Sequence, residues 1–125
     1  MERKDVNPWE WSKAFGFSQA VQVSGAEHVL FCSGQTAVGD DGSPPTTSDL
    51  GEQVGIAVEN LSTVLAAAGM DFSNVVKVTV FTTDVDGFIA SAGDVPFSLP
   101  AMTLIGVARL AYPELKVEIE VIAAK

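Results

Sequence analysis

The chain has 125 residues, with 16 acidic and 7 basic side chains and a formal net charge of −9. A field of that sign repels a phosphate backbone, and no Lys/Arg cluster offsets it beyond Arg3 and Lys4, so nucleic acid is not an expected partner. Apolar residues make up 47% and charged residues 18%, which predicts one globular domain over residues 1–125 with a sizeable core, and enough apolar surface to suggest an oligomer.

A single cysteine, Cys32, excludes an internal disulfide and fits a reducing compartment. No run approaches the roughly 20 apolar residues of a spanning helix. The leading Met-Glu-Arg-Lys-Asp has no apolar run behind it, so neither a signal peptide nor a membrane anchor is expected and the default location is cytoplasmic.

In chain order, residues 1–14 form a lead expected to dock on the domain or on a neighbouring subunit through Trp9 and Trp11. Ligand binding is the alternative use of two such aromatics. Phe17–Ser24 alternates in part and predicts a strand. Gly25-Ala26-Glu27 then turns into a second strand at His28–Ser33, and the two should pair as an antiparallel hairpin. The run Val29-Leu30-Phe31-Cys32 ends abruptly in Ser33-Gly34-Gln35. Gly34 allows another group to approach the backbone closely. The end of a buried strand suits a small-molecule site, and a plain strand and turn is the other reading.

Residues 36–47 read as a loop, dense in turn formers at Asp40-Asp41-Gly42-Ser43-Pro44-Pro45. Asp49 is a helix N-cap with Glu52 completing a capping box. Leu50, Val54, Ala57, Val58, Leu61, Val64, Leu65 and Ala68 follow at helical spacing, and Gly69 ends a helix of about 20 residues. Val75–Thr83 is a β-branched run and predicts a central strand. Asp84 caps a short helix over Val85–Ala92 that Gly93 ends, and Asp94–Leu99 is a loop. Pro100–Leu110 predicts a strand with a bend at Gly106, and Tyr112-Pro113 turns the chain. In Leu115–Ala123 the apolar Leu115, Val117, Ile119 and Val121 point one way, while Lys116, Glu118 and Glu120 point the other. The order β-β-α-β-α-β-β predicts the α+β class, with the long helix covering one face of a single sheet. The other face is lined with Val, Phe and Met, and a second subunit is the obvious cover.

Few chemistries can be built from these residues. His28 and Cys32, four apart, are too few ligands for a structural zinc site, so no metal is expected. Gly39, Gly42 and Gly51 match no phosphate loop, and nothing suggests that His28 and Ser33 meet in a triad. Cys32 reads as a buried small apolar residue rather than a nucleophile. Glu118 and Glu120 share one strand face. That face is either solvated or, under a subunit, a place where a carboxylate can act as general acid or base through water.

Read together, Phe17-Ser18-Gln19-Ala20, Ser33-Gly34-Gln35, Glu59-Asn60-Leu61, Ala67-Ala68-Gly69, Val75-Val76-Lys77 and Val117-Glu118-Ile119-Glu120 resemble the RidA family, also called YjgF or L-PSP, from about residue 16 to 123. The resemblance implies a chorismate-mutase-like α+β fold, with two helices packed on one face of a single mixed sheet. It implies a homotrimer with sites in clefts between subunits. It also implies cofactor-free hydrolysis of reactive enamines and imines, such as 2-aminoacrylate, to carbonyl compounds and ammonia. Some members have been described as ribonucleases, and the acidity of this chain argues against that here. By the resemblance, Glu118 positions or activates water, Ser33 and Gly34 line the pocket, and Phe17 replaces a family tyrosine.

The largest departure is at Pro100-Ala101-Met102-Thr103, where the family has Pro-Ala-Arg-Ser. That arginine clamps the substrate carboxylate in a two-pronged charged bond, which Met102 cannot make. Arg109 lies seven residues on, roughly 23 Å of extended chain, and does not simply substitute. The segment between Phe88 and Pro100 is short for the family, with Ala92 where an asparagine is expected. A pocket lined by Phe17, Met102 and Leu104 would be more apolar. The expected function is therefore hydrolytic deamination of a small-molecule metabolite with altered substrate preference. A trimer that binds a small molecule in the same cleft without turnover is the alternative. A protein-interaction scaffold is a third reading, with only the tryptophan-bearing lead behind it.

Overall fold

The computed structural model describes residues 1–91 and 95–125. Its centre is a mixed four-stranded sheet in the order β3-β6-β4-β5, made of β3 (Val29–Phe31), β4 (Val75–Thr82), β5 (Ala101–Gly106) and β6 (Val117–Ala124). β4 and β5 are parallel, while β6 runs antiparallel to both β3 and β4. Helix α1 (Leu50–Ala67) packs on β6, and α2 (Val85–Ser91) packs against α1 and β5. This is the α+β arrangement of two helices on a mixed sheet that the sequence predicts.

The core follows from two periods. On α1, Leu50, Val54, Ala57, Leu61 and Leu65 are buried along one stripe. On the strands, every second residue faces that stripe: Val78 and Val80 of β4, with Val117, Ile119 and Val121 of β6. Removing a side chain of Leu size from water contributes about 1.5–3 kcal/mol. Leu61 and Leu65, both fully buried, are therefore principal contributors.

The ends of α1 follow the sequence closely. Asp49 accepts from the Glu52 amide at 2.9 Å. The return bond of the capping box is replaced by a relay: the Thr47 hydroxyl donates to the Glu52 carboxylate and accepts from the Asp49 amide. At the other end Gly69 has φ +70°. The Met70 amide donates to Leu65 O and the Gly69 amide to Ala66 O, a Schellman closure that needs a left-handed residue. Gln53 is fully buried without an orphaned atom. Its amide donates to Thr47 O and Glu114 O, and its carbonyl accepts from the Lys116 amide at 2.8 Å. This latch joins the start of α1 to the entry of β6.

Three features depart from the sequence reading. Residues Glu2–Val6 form a strand, β1, antiparallel to β2 (Ala20–Ser24), so the order gains one leading strand. The predicted hairpin between Phe17–Ser24 and His28–Ser33 does not form. Instead, the Glu27 and His28 amides both donate to Lys125 O, the Lys125 amide returns a bond to His28 O, and β3 pairs with β6. The β1–β2 ribbon is a separate two-stranded sheet, joined to the main one where Ser18 bridges Ala101. The strand predicted over Pro100–Leu110 is Ala101–Gly106, because its partner β4 ends at Thr82, with the Val107 amide on Thr82 O as the last rung. Helix α2 is described to Ser91. Ala92, Gly93 and Asp94, where the sequence places the helix end, the loop start and the replaced asparagine, lie outside the described residues.

Arg3 ties the ribbon to the body. It donates to Val75 O, Ser98 O and Leu99 O, beside Leu99 in left-handed backbone at φ +47°. A non-glycine residue there costs on the order of 1–2 kcal/mol, and the guanidinium helps to hold it.

Leu61→Ala is expected to cost about 2–5 kcal/mol and Asp49→Ala about 1 kcal/mol in urea unfolding. A Leu61→Ala loss below about 1 kcal/mol would contradict the core assigned to α1 and β6.

Candidate active site

The strict alternation of β6 divides the candidate residues between the two faces of the sheet. Ile119 is buried on the helix side, so Glu118 and Glu120 stand on the opposite face. Directly paired residues share a face, so Glu118 lies beside Phe81, and Glu120 beside Thr79. Glu118 is half-buried and Glu120 is exposed.

The chain leaving β3 returns to β6 at this point. The Gln35 amide donates to Ile119 O at 2.8 Å, and the Ile119 amide donates to Gln35 O at 2.9 Å. Gly34 is thereby laid against the Glu118 side chain. A Cβ at Gly34 would sit 2.5 Å from Cδ and 2.6 Å from Cγ of Glu118, too close for any side chain. The structure thus brings together Gly34 and Glu118, with Ser33 exposed next to them and its carbonyl accepting from the Gln35 side chain. The same face also carries the exposed Glu120 and the Lys77–Thr103 pair, together with open apolar side chains: Phe31 is 75% exposed, Val29 51% and Ile105 38%.

The other predicted residues lie on the helix side. There a cavity of about 460 Å³ opens between β5 and the N-terminal segment. Met102 and Leu104 form its floor with Val80 and Ile119. Helix α2 contributes Phe88 and Ile89, and the segment before β5 contributes Val95 and Phe97. The remaining wall is a 3-10 helix, Trp11–Phe15, followed by Phe17. Trp11 meets Phe17 edge-on at 5.6 Å and Phe15 at 6.2 Å.

Within one chain, then, Phe17, Met102 and Leu104 share a cavity while Ser33, Gly34 and Glu118 share the opposite face. The sheet separates the two groups. Sequence reasoning gave ligand binding by Trp11 only as the alternative to docking, and did not find Phe15 and Phe97 as pocket walls, nor the pinning role of Gln35. The adjacent apolar pair Phe88-Ile89 on a short helix is the one local signal that was available. Arg109 turns back on its own segment, donating to Leu110 O and Ala111 O, and does not line the cavity.

Cys32 is buried, with its amide on Val121 O, and burial pushes its thiol above the ordinary value. Among the described residues, no group of three or more His, Cys, Asp or Glu is placed to hold a metal, and no helix is long and apolar enough to cross a membrane.

Comparison with known proteins accords with this geometry. The sequence model of the family described as Endoribonuclease L-PSP matches residues 10–125. The chain belongs to this family, the YjgF/RidA group. It is 36% identical over 132 residues to the mitochondrial protein mmf2 of Schizosaccharomyces pombe, covering the whole of both chains. It is 34% identical over 129 residues to the 2-iminobutanoate/2-iminopropanoate deaminase of Mus musculus, covering 98% of this chain and 92% of that one. Among solved structures, the protein YyfB of the conserved Rid family from Yersinia pestis superposes with a TM-score of 0.86 at 31% identity, covering the whole of both chains.

Two outcomes test the site's geometry. Gly34→Ala is expected to destabilise by about 1–3 kcal/mol and to do so by less than about 0.5 kcal/mol once Glu118→Ala is present. Additive losses in thermal unfolding would show that the two residues do not touch. Cys32 is expected to react with a disulfide reagent at neutral pH only as fast as the protein unfolds, and instant labelling of native protein would contradict its burial.

Proposed function

We propose that the protein is a hydrolytic deaminase of reactive imines and enamines, working as a homotrimer in clefts where the Glu118 face of one subunit meets the helix-side cavity of the next. The observation that carries this reading is the close approach of Gly34 to Glu118. It leaves one carboxylate at a strand end, with free backbone and the Ser33 hydroxyl beside it. The exposed Phe31 and Val29, further along the same sheet face, support a covering subunit. Relatives named as 2-iminobutanoate/2-iminopropanoate deaminases support the reaction class at family level.

The reaction needs no cofactor. Glu118 accepts a proton from water as the water oxygen bonds to the imine carbon and the C=N π pair moves to nitrogen. The carboxylic acid returns that proton to nitrogen. In the resulting carbinolamine the hydroxyl proton passes through Glu118 to nitrogen, and the C–N bond breaks as the oxygen lone pair forms the C=O bond, giving the carbonyl compound and ammonia. The Ser33–Gly34 region orients the substrate by hydrogen bonding. A lone buried cysteine fits a reducing compartment, and this reading assigns the protein to the cytoplasm.

Met102 bears on the substrate. It lines the cavity where a family arginine would hold a carboxylate, so 2-aminoacrylate is a poor substrate in this reading and other imines are preferred. The same absence favours the second reading, a trimer that binds a small molecule in this cleft without turnover. The ribonuclease activity suggested by the family's description is disfavoured by a net charge of −9.

The test generates imines in situ, 2-imino acids from acidic, polar and apolar amino acids with an amino-acid oxidase and carboxylate-free imines from apolar primary amines with a flavin amine oxidase, and traps the survivors with semicarbazide. Faster loss of apolar imines is expected, reduced about 100-fold or more in Glu118→Gln. No acceleration across the panel would favour the binding reading. A monodisperse monomer by light scattering would overturn the shared cleft.

A further inference from the structure

The helix-side cavity has a chemical character that narrows its ligand. Its volume of about 460 Å³ falls within the rough 300–1,000 Å³ span of small-ligand pockets. None of the described residues lining it is charged. Cations close to it in sequence are engaged elsewhere. Arg3 is spent on Val75 O, Ser98 O and Leu99 O. Lys13, on the 3-10 helix itself, pairs with Glu10 at 2.9 Å. Lys77 donates to Thr103 on the opposite face of the sheet. An anionic group entering the cavity would lose its water and find no cationic partner among the described residues, which weakens its binding strongly. Each methylene entering tightens binding about four-fold.

The cavity's mouth is built to stay apolar. Trp11 and Phe15 are 55% and 74% exposed, yet the segment carrying them is anchored by a buried polar clamp. Asn7 Oδ1 accepts from the Gln19 amide at 2.9 Å and from the Ser12 hydroxyl, and its Nδ2 donates to the Ser18 hydroxyl. Ser12 and Ser18 are almost completely buried. The left-handed Gly16, at φ +80°, then turns the chain so that Phe17 faces Trp11. Two large rings are thus held at the rim in fixed positions rather than folded into the core.

We infer that this cavity takes the apolar part of a substrate or product without a carboxylate: the imine of a branched or aromatic aldehyde or ketone, and the carbonyl compound it yields. The inference rests on the deaminase reading for the reaction and on the cavity alone for the ligand class. With water it balances without an oxidant or reductant, the imine C=N becoming C=O and nitrogen leaving as ammonia.

The test uses binding, so that it fails independently of turnover. Trp9→Phe leaves Trp11 as the only indole, and its fluorescence reports the rim. The probes are 4-methyl-2-pentanone and 4-methyl-2-oxopentanoate, which share the branched chain and differ in methyl against carboxylate. The neutral ketone is expected to bind at least about ten-fold tighter, and Met102→Arg is expected to reverse the order. Ile89→Arg, at a rim position already 64% exposed, is expected to do the same without disturbing the core. Equal or tighter binding of the keto acid, no saturable signal from either probe, or a ketone preference that survives both arginine variants would overturn the proposal. Ketone binding in a protein that hydrolyses no imine would leave this ligand class standing and remove the deaminase reading.

Discussion

The period of β6 is the constraint on which the rest depends. Val117, Ile119 and Val121 are packed under α1, and Glu118 and Glu120 are consequently held on the other side of the sheet. A shift of one residue would bury both carboxylates and expose the core residues, so the register is strongly specified by desolvation alone. Two further contacts fix it. Gln53 bonds the Lys116 amide at the strand's entry, and Gln35 exchanges a pair of backbone bonds with Ile119 at the level of the carboxylate. Core packing and site geometry are therefore one problem: the residue that anchors the floor of the apolar cavity, Ile119, is the neighbour of the residue proposed to activate water.

The two faces have opposite electrostatic character. One carries the half-buried Glu118 and the exposed Glu120, with exposed Phe31 and Val29 further along the sheet. The other holds an apolar cavity walled by Trp11, Phe15 and Phe17. Among the described residues, the pocket on the first face does not include Glu118 and the lining of the second holds no proton acceptor, so neither alone joins a carboxylate to an apolar cavity. Association through the open sheet face would remove Phe31 and Val29 from water and would bring a carboxylate from one chain to a cavity of another. A single hydrophobic driving force would then both assemble the oligomer and complete the site.

Much of this was legible from the residues. Helix α1 was, because its apolar spacing and both of its ends, Asp49 and Gly69, agree with one another. The orientation of Glu118 was, because alternation is local. So was the grouping of Met102 and Leu104, two apart on one strand. The β1 strand was not: Glu-Arg-Lys-Asp-Val is polar on both faces and pairs through its backbone, which leaves no side-chain pattern to read. The pairing of β3 with β6 joins residues some ninety positions apart, and a local turn signal at Gly25 suggested a nearer partner. The approach of Gly34 to Glu118 depends on that same long-range pairing. Ser33, Gly34 and Glu118 could be nominated by resemblance to the family, but their contact could be seen only in three dimensions. The aromatic wall at Trp11 and Phe15 was hidden for another reason: its position depends on the buried clamp of Asn7 with Ser12 and Ser18, and each of these residues alone reads as an ordinary loop former.

The central claim is that the reacting site is shared between subunits, and subunit complementation tests it most directly. Differently tagged Glu118→Gln and cavity-filled Leu104→Trp chains would be co-expressed, and mixed assemblies purified through both tags. Each parent lacks one half of every cleft. The account predicts that mixed assemblies regain imine hydrolysis, with about one third of their clefts, one in each mixed trimer, carrying both intact halves. Mixed assemblies as inactive as their parents would contradict it, and would place binding and chemistry within a single chain.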